Sequence, residues 1–205
     1  IYAGFLGQIF LFTLFVQDLR GESATAAGFT QAPQAVGVFV LSNLAGRRLY
    51  HAVGPRRLTI VGATGTAVVT AAFAAADTTT SLAVLAGLNF LRGMFIGIVF
   101  VTMQTAVFAR ISDADTAQAT TLFSVQRQSA NALGVAVAAT VLAALAPASG
   151  GPGGADAGLH AYRWGFLTCA LVFVPGILVA LRIRDDDAAE TRGLAPAAEV
   201  AAEPA

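Results

Sequence analysis

The chain has 205 residues, of which 56 % are hydrophobic and 12 % charged, and its twelve basic and twelve acidic side chains leave no formal net charge. An ordinary soluble domain carries about 25 % charged residues, so a chain with a mean hydropathy of +0.71 lacks the polar surface to clothe itself in water. Zero net charge gives no global field to attract nucleic acid, and the single Cys169 excludes an internal disulfide and a CxxC metal or redox site.

The first apolar run, residues 1–17, opens at Ile1 with no charged leader or cleavage site, which reads as a piece of a longer polypeptide starting inside a helix rather than a signal peptide. It places Tyr2, Phe5, Gln8, Phe12 and Phe15 at helical spacing. Such an aromatic stripe usually packs or meets lipid, and Gln8 in its midst keeps a ligand wall open. The polar connector "DLRGESATAA" leads to a second run, 27–45.

A basic island follows, "GRRLYHAVGPRR", and then a third run, 58–76. Gly54-Pro55 predicts a tight turn, with Pro55 at the helix start where a missing N–H does no harm. Basic side chains collect in cytoplasmic loops, so this island is placed inside. Alternation then puts Arg110, Arg182 and Arg184 inside, and leaves Arg20 and Arg163 outside with Asp18, Glu22, Asp77 and Asp156. Tyr162 and Trp164 are expected near the outer boundary and Tyr50 near the inner one.

The fourth run, 82–109, contains "NFLRGMFIGIVFVTMQ". Helical spacing sets Asn89, Arg92, Gly93, Ile96 and Gly97 on one side, with Gln104 further along, and Gly93 and Gly97 invite close approach of a neighbouring helix. The fifth run, 119–146, contains Ser124, Arg127, Gln128 and Asn131 at i, i+3, i+4 and i+7, a polar face that becomes small and apolar at Gly134, Val135 and Ala138. Ionisable groups at membrane depth mark cavities or pathways. Gln8, Asn89, Arg92, Gln104, Ser124, Arg127, Gln128 and Asn131 are therefore the candidate substrate-path residues, against the plainer reading of interhelical hydrogen bonding. The sixth run, 160–182, precedes an Ala-, Pro- and Glu-rich tail over 183–205 without apolar periodicity, expected to be disordered and cytoplasmic.

Crossing the hydrocarbon core takes about 20 mostly apolar residues. Six such runs predict an all-α, polytopic membrane protein, with a six-span bundle over 1–182 whose first helix is truncated. No Asp or Glu lies inside the six runs, so a proton-coupling carboxylate has to come from elsewhere. No phosphate loop, HExxH or nucleophile elbow is present, which argues against an enzyme and implies no cofactor or metal site.

The order of these features resembles the C-terminal half of major facilitator superfamily transporters, in particular the fourteen-span drug/proton antiporters, over about Gly7–Val141. "AGRRLYHAVGPRRL" is similar to the family's cytoplasmic loop motif G-x-L-x-D-R-x-G-x-R/K. Leu49, Gly54 and Arg56 or Arg57 match it, His51 stands at its Asp, Arg47 at its first Gly, Ala52 at its Arg, and Pro55 completes the turn. "LRGMFIGIVF" is similar to R-G-x-G-x-G, and "VQRQSANALGVAVAATVL" to N-x-x-R-Q-x-G-x-A-L-G-x-A, with Arg127 and Gln128 at its Arg-Gln. The resemblance implies a half-bundle of two inverted three-helix repeats in a plasma-membrane carrier. It further implies alternating access against a missing N-terminal half, and export of small drug-like molecules in exchange for protons. A truncated, non-transporting assembly or regulatory module is the alternative, favoured by the altered loop motif.

Overall fold

The computed structural model describes residues 1–44, 54–108, 116–145 and 154–182, and every regular element among them is helical. Helix α1 is Tyr2–Leu14, continued by a π-helical turn Phe15–Leu19. The others are α2, Ala24–Leu44; α3, Pro55–Ala72, with a 3₁₀ turn Phe73–Ala75; α4, Leu82–Phe108; α5, Thr116–Leu145; α6, Gly154–Leu171; and α7, Phe173–Arg182. The tail 183–205 lies outside the described residues.

Among the described residues five segments are long and apolar enough to cross a membrane: Tyr2–Leu19, Arg56–Ala75, Leu82–Thr105, Thr116–Leu145 and Gly158–Arg182. Helix α2 has the length, 21 residues, or about 32 Å of rise. Its apolar character is diluted by Thr25, Thr30, Gln31, Gln34, Ser42 and Asn43, so the expected second span is a helix with an unusually polar composition. The expected sixth span is broken between α6 and α7. Pro175 removes a backbone donor and its ring crowds the carbonyl four residues earlier, that of Leu171, and the helix interrupts there.

Two observations fix the direction of travel. Arg20 Nη1, at the far end of α1, donates to the carbonyl oxygens of Asp77 (3.4 Å) and Thr80 in the α3–α4 connection. At the opposite end Arg56 Nη2, in the first turn of α3, donates to the Leu181 carbonyl at the end of α7, 2.8 Å away. Successive long helices therefore run up and down.

Their main contacts come in matched sets: α2 packs along α4 as α5 packs along α1, and α3 packs on α4 as α6 packs on α1, while α3 also meets α6 and α7. Exchanging α1–α3 for α4–α6 reproduces this pattern, as two inverted repeats should. The α5–α6 contact has no counterpart of similar extent between α2 and α3.

Glycine makes the two equivalent crossings possible. A methyl group added at Gly93 of α4 would run into the Gln34 carbonyl of α2, and one added at Gly134 of α5 into the Ala3 carbonyl of α1. Without side chains there, backbones approach closely enough for dispersion to replace the hydrophobic driving force that lipid does not supply.

The largest apolar cluster joins α1, α3 and α6. Phe12 meets Phe73 edge-on at 5.5 Å, Phe73 meets Phe166 at 5.6 Å, and Phe15 meets Tyr162 and Phe166 at 5.7 and 6.0 Å. Each such pair contributes about 0.5–1.5 kcal/mol beyond its buried area. Tyr162 is thus a core side chain, 6 % exposed, and only Trp164 stands outward, its indole N–H donating to His160 Nε2 at 3.0 Å.

In the α3–α4 turn one Asp77 carboxylate oxygen accepts from the amides and hydroxyls of Thr79 and Thr80, at 2.7–2.9 Å. The Thr79 hydroxyl first, then that of Thr80, holds this carboxyl down at about 2.

Candidate functional site

Arg92 lies ten residues into α4, about 15 Å of rise from its start, and none of its surface is exposed. An arginine at the centre of a span costs about 2.5–3.5 kcal/mol on insertion scales, so its surroundings carry information. Nη2 donates to Gln34 Oε1 on α2. The guanidinium carbon stands 5.2 Å from the centre of the Phe5 ring on α1, within cation–π range. Nε and Nη1 have no protein partner.

One turn earlier on α4, buried Asn89 donates from Nδ2 to the Thr30 carbonyl of α2 at 3.2 Å, and its Oδ1 is unpartnered. On α1, one turn beyond Phe5, Gln8 is fully buried and both of its amide atoms are unpartnered. Buried polar atoms are nearly always satisfied, so five orphaned atoms on Gln8, Asn89 and Arg92 form an exceptional concentration. The face predicted on α4 is buried as a unit: Asn89, Arg92, Gly93, Ile96 and Gly97 are all covered, and Gly93 and Gly97 meet the Gln34 and Val38 backbone.

A groove of ≈ 660 Å³ opens between α1, α2 and α4, lined chiefly by Phe5, Gln31, Gln34, Val38, Phe39 and Phe100. Gln34 and Phe5 belong to both structures: they form its wall and they touch Arg92. Arg92 therefore stands immediately behind the groove rather than on its surface.

A second polar group stands towards the beginning of α1. Tyr2 lies within electrostatic reach of Arg127 on α5 and within side-chain hydrogen-bonding reach of Gln104 on α4. Its ring stacks on Phe100 at 5.0 Å and 14°, and meets Phe123 of α5 edge-on at 6.1 Å. Phe100 in turn meets Phe5 edge-on at 5.2 Å. A continuous chain of four rings thus runs from α5 to the guanidinium of Arg92.

The predicted α5 stripe is only partly covered. Ser124, Arg127 and Asn131 are half-buried and Gln128 is exposed, as is Gln104 on α4. Arg127 and Asn131 continue into the stripe of Gly134 and Ala138, both buried, with Gly134 against α1. Much of the rest of α5, including Leu122, Val125 and Leu133, is uncovered.

Of the loop motif, Gly54 has φ 89° and precedes Pro55 at the start of α3. That left-handed backbone is open to glycine and strained for other residues. Arg56 binds the Leu181 carbonyl, Arg57 is exposed, and Leu49 and His51 lie outside the described residues.

Sequence reasoning missed Thr30, Gln31, Gln34 and Phe39, all on α2. The available signal was a Gln pair at i and i+3 flanking Pro33 in the middle of a spanning-length run. Among the described residues no three His, Cys, Asp or Glu side chains gather as a metal site would need.

A family model described as Major Facilitator Superfamily matches residues 1–135. No curated protein and no solved structure matches the chain.

Proposed function

The chain belongs to the major facilitator superfamily, and from that premise we propose that it forms the C-terminal half of a proton-driven export carrier of the fourteen-span drug antiporter type. It is a transporter-type membrane protein, and in this reading it moves small drug-like molecules across the plasma membrane by alternating access. The groove between α1, α2 and α4 is the observation that carries the reading. Its volume, ≈ 660 Å³, lies within the range of small-molecule sites, about 300–1,000 Å³. Three phenylalanines give it apolar area, and Gln31, Gln34 and Ser42 give it a few orienting polar groups.

The charge distribution supports the rest. Among the described residues the acidic ones are Asp18, Glu22, Asp77 and Asp156, all at helix ends or connections, so in this reading the proton-carrying carboxylate belongs to the other half of the transporter. Arg56 and Arg57 at the start of α3 and Arg182 at the end of α7 share one end of the bundle, which the basic bias of cytoplasmic loops places inside. The tail then leaves on the cytoplasmic side.

The test is export by the full-length protein in proteoliposomes under an imposed pH gradient, read with a neutral lipophilic dye such as Nile red. Export should follow the gradient and fall several-fold with Phe39→Ala or Gln31→Ala. A dye flux indifferent to the gradient rejects proton coupling, and flux indifferent to both substitutions rejects the groove. Arg127→Ala should impair export without loss of membrane insertion.

A further inference from the structure

Arg92 carries a full positive charge at membrane depth and the described residues bring it no carboxylate. Among the described residues its hydrogen-bond acceptor is the neutral Gln34 Oε1, and Nε and Nη1 are without one. Desolvated charges of this kind are ordinarily paired. Five donors in a planar fork match the paired oxygens of a carboxylate, as they do those of a phosphate.

One turn along α1 from the Phe5 ring that touches Arg92, another buried polar group is unsatisfied: Gln8 offers an unused amide donor. Beyond Gln34 and the Phe5 ring, which both touch Arg92 and line its wall, stands the groove.

We propose that Arg92 is the anion seat of the groove and that the preferred substrates are lipophilic organic acids. The carboxylate binds the guanidinium and the apolar body lies against Phe5, Phe39 and Phe100. The acid reaches Arg92 by taking the place of Gln34 Oε1: the guanidinium's bond to a neutral amide oxygen breaks, and bidentate ion-pair bonds to a carboxylate form in its place. The freed Gln34 amide turns into the groove and meets the ligand there. No covalent step is involved. The inference rests on the groove reading above and names the chemistry that the groove selects.

The experiment uses purified full-length protein in nanodiscs and three pyrene probes of one scaffold: 1-pyrenebutyrate, its primary amide, and the same chain ending in trimethylammonium. Equilibrium binding is read by pyrene fluorescence at pH 7. The acid should bind at least about tenfold more tightly than the amide, a difference of about 1.4 kcal/mol, and the ammonium should bind least. Arg92→Gln should erase the gap between acid and amide while leaving amide affinity within about twofold, and Arg92→Lys should keep part of it.

Acid and amide binding alike to the wild-type protein overturns the proposal: Arg92 is then satisfied by water or by a carboxylate side chain elsewhere in the transporter, and the groove reading stands. Equal weakening of all three probes by Arg92→Gln overturns it as well, since Arg92 then only holds helices in place. Binding of none of the three removes the groove reading together with the proposal. The wild-type acid-to-amide ratio decides the matter even if the variant fails to fold.

Discussion

Helix α1 borders two kinds of interior. Along Phe12 and Phe15 it meets α3 and α6 through interlocking rings, a dry region whose buried side chains are apolar. Less than two turns away, at Phe5 and Gln8, it meets a region where amide and guanidinium atoms are buried without partners. The first region is what a bundle needs to hold together. The second is disadvantageous for holding together and makes sense when something else completes it. One helix thus carries apolar satisfaction beside polar frustration, and the proposed ligand path follows the second.

Perturbing the two sides should therefore give opposite signatures. Phe12→Ala or Phe73→Ala empties the dry region, and losses of about 3–5 kcal/mol are expected. Thermal unfolding of the full-length protein in detergent should show a large drop, with acid-over-amide selectivity intact in whatever remains folded. Gly93→Val forces a side chain into the Gln34 backbone and should destabilise by about 1–3 kcal/mol. It strikes the frame that carries Gln34, so stability and binding should fall together.

Arg92→Met separates the regions most cleanly. The substitution removes a buried charge that no carboxylate of the described residues pairs, and with it the cost of keeping that charge out of water. The melting temperature should hold or rise while selectivity for the acid disappears. A Met variant as destabilised as Phe12→Ala would place Arg92 among the architectural residues.

The smallest effect belongs to Asp77. Its carboxyl is held at about 2 by the threonine hydroxyls and amides, below the ordinary carboxylate range of about 3.9. The ionised form therefore favours the ordered turn above that range, and the contribution is lost as pH falls towards 2. Amide hydrogen exchange at Thr79 and Thr80 should be unchanged between pH 7 and 5, after correction for intrinsic rates, and should quicken on further acidification. Asp77→Asn should show faster exchange at every pH, with global stability scarcely altered.

The helical frame was legible in the sequence because lipid makes a severe demand: apolar runs of spanning length, interrupted by turn formers, leave few alternatives. The burial of the Asn89–Gly97 face was legible for the same reason. Gln34 was not. A glutamine in a helix can face solvent, a neighbour or a ligand with the same local pattern, and only the crossing of α2 with α4 puts it against Arg92. Tyr162 shows a related limit: its amphipathic ring suits a membrane boundary, but the local pattern does not reveal that it also packs inward on Phe15. The break at Val172 followed from Pro175, whose backbone effect is local and readable in retrospect.

Arg20 and Arg56 fasten opposite ends of the bundle to main-chain carbonyls rather than to acids. A peptide oxygen does not titrate over the physiological range, so these two fastenings keep their strength as either compartment acidifies. In the proton-driven cycle proposed above, such joints hold their shape while the coupling group titrates, and guanidinium-to-backbone links are the chemistry that provides them.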